Sequence, residues 1–197
     1  MEKLVKVSNL KFNYPDGTSL LFDGEEFVVN KGERVVILGP NGSGKSTLLS
    51  LLLGIVTGGI AFSHNLSIDN AARETARFGA TLPVNGDITA YLNQVADVAI
   101  TSSTGALEDG VPNRIVCVAY VFPDGIVPND QTTRLVEDAA GVRVITPGST
   151  CLNDGRPNDE RRVQITVQRD SQLAVFYFTR TLNLTGQSVA RFERGDS

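Results

Sequence analysis

The run Gly39-Pro40-Asn41-Gly42-Ser43-Gly44-Lys45-Ser46 fits the pattern G-x-x-x-x-G-K-[ST], in which a glycine-rich turn wraps a phosphate. Glycines let the backbone curl so that successive N–H groups point inward, and the helix that follows offers its positive end to the same anion. Lys45 is placed to neutralise β- and γ-phosphate charge, the Ser46 hydroxyl to complete the coordination of Mg²⁺, and Thr47 to hydrogen-bond the α-phosphate side. The chemistry expected is binding of ATP or ADP with Mg²⁺ by Gly39, Asn41, Gly42, Ser43, Gly44, Lys45, Ser46 and Thr47, with Ser46 as the metal ligand. A glycine-rich strand-to-helix turn with an incidental lysine is the plainer alternative.

Such a loop must be held by a strand on one side and a helix on the other. Arg34 to Leu38 is a short continuous apolar run of the kind buried on both faces of a sheet, and an apolar helical pattern follows Ser46. Upstream, residues 3 to 13 alternate apolar and polar, Tyr14-Pro15-Asp16-Gly17 reads as a turn, and residues 20 to 29 suggest a returning strand. The expected first piece is an α/β phosphate-loop fragment: hairpin, buried strand, loop and helix.

Residues 2 to about 53 resemble the opening of an ATP-binding cassette (ABC) transporter ATPase, through LVKVSNLKFNYPDGT and NKGERVVILGPNGSGKSTLL. The resemblance implies that Tyr14, the aromatic residue after the first strand, stacks on adenine. It also implies further parts: a metal-binding Asp-Glu after four apolar residues, an L-S-G-G-Q signature and a switch histidine. The apolar stretch Ile115 to Phe122 runs instead into Pro123-Asp124-Gly125, a turn signature, and His64 lies too close to Lys45 to be the switch. Leu184-Thr185-Gly186-Gln187-Ser188 and Tyr91-Leu92-Asn93-Gln94 only echo the signature and the glutamine loop. Binding is therefore expected without efficient hydrolysis, and no catalytic residue is assigned.

Composition divides the chain. All five lysines lie in the first 45 of 197 residues, and the net charge of -4 belongs to residues 51 to 197, with twelve bases against sixteen acids. That acidity removes the electrostatic motive for binding nucleic acid, and a single histidine excludes a multi-His metal site. From Ser46 to Ile68 no residue is charged, and residues 48 to 56 are apolar around the whole helix circumference. This is either a buried helix behind the phosphate loop or most of a membrane span. A face of small residues follows (Ile68, Ala71, Ala72, Thr75, Ala76, Gly79) opposite Asp69, Arg73, Glu74 and Arg77.

The stretch LLLGIVTGGIAFSHNLSIDNAARETARFGA resembles the TadE-like proteins, pseudopilins of tight-adherence pilus assembly, most closely over Asn70 to Gly79. The acidic residue of that family's membrane helix is absent here. The resemblance implies a pseudopilin-like α+β body, a long helix with a small antiparallel sheet. A helix over 87–101 and strands over 114–122, 142–146, 161–169 and 172–183 suit it, with Gly/Pro/Asn/Asp clusters between them. Cys117 and Cys151 could bridge in an exported domain, closing a loop worth about 3 kcal/mol, or stay as free thiols. Asp159-Glu160-Arg161-Arg162 reads as a solvated start of a strand.

The expected organisation is an ABC-ATPase-like nucleotide-binding fragment over 1–50 and a TadE-like region over 51–197. Three functions follow: nucleotide binding with ATP and Mg²⁺; a non-enzymatic envelope protein whose partners are a membrane or pilus-assembly proteins; or a chimera joined at the leucine-rich segment, with no function as a unit. The protein is membrane-associated if residues 46–68 span, and otherwise cytoplasmic.

Overall fold

The computed structural model describes residues 3–21, 26–84, 86–122, 132–156, 160–175 and 177–192. The chain divides into two compact units, Met1–Leu53 and Gly54–Ser197.

In the first unit the alternation of residues 3 to 13 gives two strands, β1 (Lys3–Ser8) and β2 (Lys11–Asn13), because Asn9 adopts φ 52° and breaks the run. Asparagine is among the few side chains that tolerate this left-handed conformation. The expected returning strand is likewise split into β3 (Ser19–Leu21) and β4 (Glu26–Asn30). β2 pairs antiparallel with β3 and β1 with β4, where Val7 faces Phe27. The turn at Tyr14 to Gly17 forms as expected: Gly17 N donates to Tyr14 O at 3.0 Å, Thr18 N to Asp16 Oδ1 at 2.9 Å, and Gly17 takes φ 86°.

The buried strand expected over Arg34 to Leu38 does not form. These residues are irregular, Val36 and Leu38 are 77% and 87% exposed, and no strand pairs with them among the described residues. An apolar run becomes a two-face-buried strand only when neighbours take its N–H and C=O groups. Neither two-stranded sheet of this unit supplies one. The segment instead borders an apolar groove of about 380 Å³, lined also by Val7, Phe27 and Leu48.

Helix α1 (Lys45–Thr81) is continuous over 37 residues. It joins the apolar and amphipathic halves read in the sequence, and it is long and apolar enough to cross a membrane.

In the second unit α2 (Ile88–Ser102) starts at Asp87, whose Oδ1 accepts from Ala90 N at 3.0 Å. Five antiparallel strands follow: β5 (Ile115–Val121), β6 (Thr133–Glu137), β7 (Arg143–Pro147), β8 (Arg162–Val175) and β9 (Phe178–Arg191), in the order β7-β6-β5-β8-β9. The β8–β9 hairpin is longer than the sequence suggested, since β8 runs on through Asp170 and Ser171. Val116, Val118 and Tyr120 of β5 and Val163, Ile165 and Val167 of β8 form the core with one face of α2 and the small residues Ala72 and Ala76 of α1. Small residues are needed there: a Cβ on Gly186 would lie 2.7 Å from the Ile68 carbonyl oxygen.

Cys117 and Cys151 are joined in a disulfide, which decides between the two alternatives left open above. The same segment is held polar-side as well, because Gln164 Oε1 accepts from Cys151 N and Leu152 N at 3.2 and 3.3 Å. Arg162 Nε donates to Asp154 Oδ2 at 2.7 Å. Arg162 is therefore not a solvated residue at a strand start, as the charge run suggested, since its side chain is 2% exposed and its partner's 7%. Asp159, and the Pro123-Asp124-Gly125 turn with the cluster around it, lie outside the described residues.

Candidate functional site

The phosphate-loop sequence folds as a tight turn feeding a helix. Gly42 and Gly44 adopt φ 82° and 83°, a conformation that side chains resist, which explains why glycine stands at both positions. Ser43 N donates to Pro40 O at 3.3 Å, and Leu48 N to Gly44 O at 2.9 Å begins the ladder of α1. Gly39 is pressed against the loop itself, since a Cβ there would lie 2.8 Å from Ser43 Oγ. Asn41 sits in the exposed turn, and Ser46 and Thr47 in the half-buried first turn of the helix.

The Lys45 ammonium folds back over the loop, donating to Gly39 O at 2.7 Å and Pro40 O at 2.6 Å, with Ser43 Oγ at 3.4 Å. Tyr14 reaches the same region from the β2–β3 turn: its hydroxyl is hydrogen-bonded to Thr47 Oγ1, and its ring meets Phe12 edge-on at 5.0 Å. The expected site residues thus lie on one loop, one helix turn and one hairpin turn of the first unit. The Tyr14–Thr47 hydrogen bond carries no sequence signal, because two hydroxyl residues 33 positions apart meet only through the fold.

The loop's geometry suits a phosphate. Two glycines hold the backbone in the positive-φ conformation that turns amides toward an anion, and the first N–H groups of α1 have no acceptor within the helix. The lysine is held at the loop by two carbonyls that an anionic oxygen could replace. The fit stops at the strand level: residues 34–38 have no neighbour among the described residues to bring a carboxylate beside Ser46.

The sequence echoes of other ABC parts fall on structural positions. Tyr91 to Gln94 lie within α2, and Tyr91 is buried with its hydroxyl donating to Gly79 O at 2.9 Å. Burial, with Tyr120 beside it, pushes the Tyr91 hydroxyl well above the ordinary tyrosine range. Leu184 to Ser188 lie in β9, where Gly186 is the close approach to α1.

Residues 22–106 match the family model described as ABC transporter. Over 53 residues the chain is 60% identical to a protein of Streptomyces coelicolor described as an ABC transporter ATP-binding protein, covering 27% of this chain and 20% of that one. It is 53% identical over 53 residues to the energy-coupling factor transporter ATP-binding protein of Methanocaldococcus jannaschii, covering 27% of this chain and 19% of that one. It is 51% identical over 57 residues to the protein of the same description from Carboxydothermus hydrogenoformans, covering 29% and 21%. The chain spans about a fifth of the length of these relatives. No solved structure matches it. These matches support an ABC-type ATPase segment at the N-terminus and ATP binding by it, and they do not carry the TadE-like resemblance.

Proposed function

We propose that the first unit binds ATP, or ADP, with Mg²⁺, and that it does so without efficient hydrolysis. The observation that carries this reading is Lys45 held on the Gly39 and Pro40 carbonyls at the start of α1, inside a loop whose Gly42 and Gly44 take positive φ. Lys45 and the loop amides hold the phosphates, Ser46 contributes its hydroxyl to the metal, Thr47 faces the α-phosphate side and the Tyr14 ring offers a stacking surface for the base. Mg²⁺, when bound, neutralises phosphate charge, and the chain's own residues bind and orient. Isothermal titration of the full chain with Mg-ATP tests this. Lys45→Ala is expected to weaken binding at least tenfold, about 1.4 kcal/mol, and an unchanged titration would overturn the assignment.

A second reading concerns residues 51–197 as a TadE-like envelope or pilus-assembly region, non-enzymatic and membrane-associated. It is supported by a continuous 37-residue helix with an apolar half, set with an antiparallel sheet and a disulfide in the second unit. Retention of the full chain in carbonate-washed membranes is expected, and complete release into the wash would count against it.

A further inference from the structure

Two Asn-Gly pairs occur in the chain, Asn41-Gly42 and Asn85-Gly86. A glycine after an asparagine has no side chain to shield its backbone nitrogen, which can then close on the asparagine amide. The fold treats the two nitrogens differently. Gly86 N is engaged, donating to Val84 O at 2.8 Å. Gly42 N has no acceptor among the described residues, and the Asn41 side chain has no hydrogen-bond partner among them. Both Asn41 and Gly42 are exposed, and a Cβ built on Gly42 would meet nothing within 4 Å, so the space over this pair is open.

A cation brackets the first pair. Lys45 Nζ lies 2.6 Å from the carbonyl oxygen of Pro40, the residue before Asn41, and 3.4 Å from Oγ of Ser43, the residue after Gly42. Positive charge at that range favours the negative charge that develops on an attacking amide nitrogen and on the amide oxygen under attack. The turn around the pair is closed by one long bond, Ser43 N to Pro40 O at 3.3 Å. The stretch leading into it, residues 34–38, is irregular and has no strand partner among the described residues. Little therefore resists the backbone rotation that ring closure needs.

We propose that Asn41 is a site of self-modification, deamidated by the Gly42 backbone nitrogen with Lys45 promoting the step, and that the carboxylate left behind shuts the loop to phosphate. The Gly42 nitrogen forms a bond to Asn41 Cγ, the bond from Cγ to Nδ2 breaks, and the proton lost by Gly42 leaves with Nδ2 as ammonia. Water then adds to one of the two carbonyl carbons of the resulting cyclic imide and breaks its bond to the ring nitrogen. Nothing is oxidised or reduced. Opening at the main-chain carbon gives isoaspartate, which routes the backbone through the side chain and disturbs the spacing of the loop amides; opening at Cγ gives aspartate. Either product puts an anion inside a loop whose amides and lysine are arranged for one, and the new charge takes up that field. The shut-off rests on the nucleotide reading of the loop, whereas the modification does not.

Incubating the full chain at mildly alkaline pH, with tryptic peptides weighed over time, follows both pairs together, because cleavage after Arg34 and Lys45 releases residues 35–45 as one peptide. Conversion is read as the mass change from NH2 to OH. Asn41 is expected to convert about fivefold faster than Asn85, the rate equivalent of the one hydrogen bond that Gly86 must give up. Lys45→Met should slow conversion at 41 and leave 85 unchanged. Conversion at 41 no faster than at 85, or a rate at 41 untouched by Lys45→Met, would overturn the proposal. For the consequence, Asn41→Asp should weaken Mg-ATP binding about tenfold by isothermal titration, and Mg-ATP should slow conversion of the parent chain by covering Gly42. If Asn41→Asp binds as the parent does, the shut-off is wrong and the nucleotide reading stands. If neither chain binds while Asn41 still converts ahead of Asn85, the nucleotide reading and the shut-off fall together and the modification site stands.

Discussion

At the scale of single residues, the glycines of the phosphate loop were legible because their role is local. Gly42 and Gly44 take a backbone conformation open chiefly to glycine, so pattern and geometry report the same constraint. For Tyr14 the family resemblance implied base stacking, a role the proposed function keeps as an expectation, whereas its hydroxyl bond to Thr47 depends on how the hairpin turn meets α1. The two roles separate by substitution: Tyr14→Phe keeps the ring and should leave ATP affinity unchanged or higher, while Tyr14→Ala should cost about 1 to 3 kcal/mol, the usual worth of a base–aromatic stack. Titration calorimetry of both variants checks this. A second residue-scale expectation concerns Asp154. Burial alone would raise its carboxyl, but hydrogen bonds from Gln164, the Arg156 backbone and Arg162, with the Arg162 charge, more than offset that and hold it below the ordinary carboxylate value. A depressed folded pKa means that its contribution to stability is present above about pH 4 and is lost as the pH falls through the lower, folded value. The protection of the Cys151 and Leu152 amides against hydrogen exchange, measured relative to the intrinsic rate at each pH, should fall as acid is added below that point, and Asp154→Asn should remove that change in protection.

At the scale of elements, α2 and strands β5 and β7 were legible to within a residue or so, since each carries its own periodicity. β6 was not read from the sequence: Thr133–Glu137 alternates, but over only five residues with charges at two of them. Its register, Val136 opposite Cys117 and Leu135 opposite Val118, is set by the neighbour and not by itself. The failure over residues 34–38 has the opposite origin. The composition there is right for a central strand, but pairing is a property of two segments, and the apolar run lies beside a groove with no strand partner among the described residues. The close crossing of α1 over β9 yields a sharper prediction. Gly186→Ala places a methyl group 2.7 Å from a helix backbone oxygen, which cannot rotate away as a side chain would. Overpacking of this kind costs about 1 to 3 kcal/mol, and thermal unfolding of the variant followed by circular dichroism should show a correspondingly lower midpoint. Gly58→Ala, whose Cβ would sit at an ordinary 3.7 Å from Leu173, should be neutral or slightly stabilising in a helix interior.

For the molecule as a whole, two units of unequal construction share one polypeptide. The second has a contiguous core of buried side chains from two helices and the sheet. In the first, Leu48 is buried but Val35, Val36 and Leu38 are exposed. Stability should therefore be unevenly distributed. Brief trypsin treatment is expected to cut after Arg34, in the exposed irregular segment, before it cuts after the buried Arg114 or Arg162. Mass spectrometry of the first fragments checks this, and earliest cleavage inside the sheet would contradict it. The joined sulfurs at Cys117 and Cys151 carry one more implication. Bonds of that kind persist where the surroundings are oxidising and are kept open in the glutathione-rich cytosol, which is also where a cell makes and spends its ATP. The ATP binding proposed for the first unit and the disulfide of the second thus call on different surroundings, the one on cytosolic nucleotide and the other on an oxidising compartment.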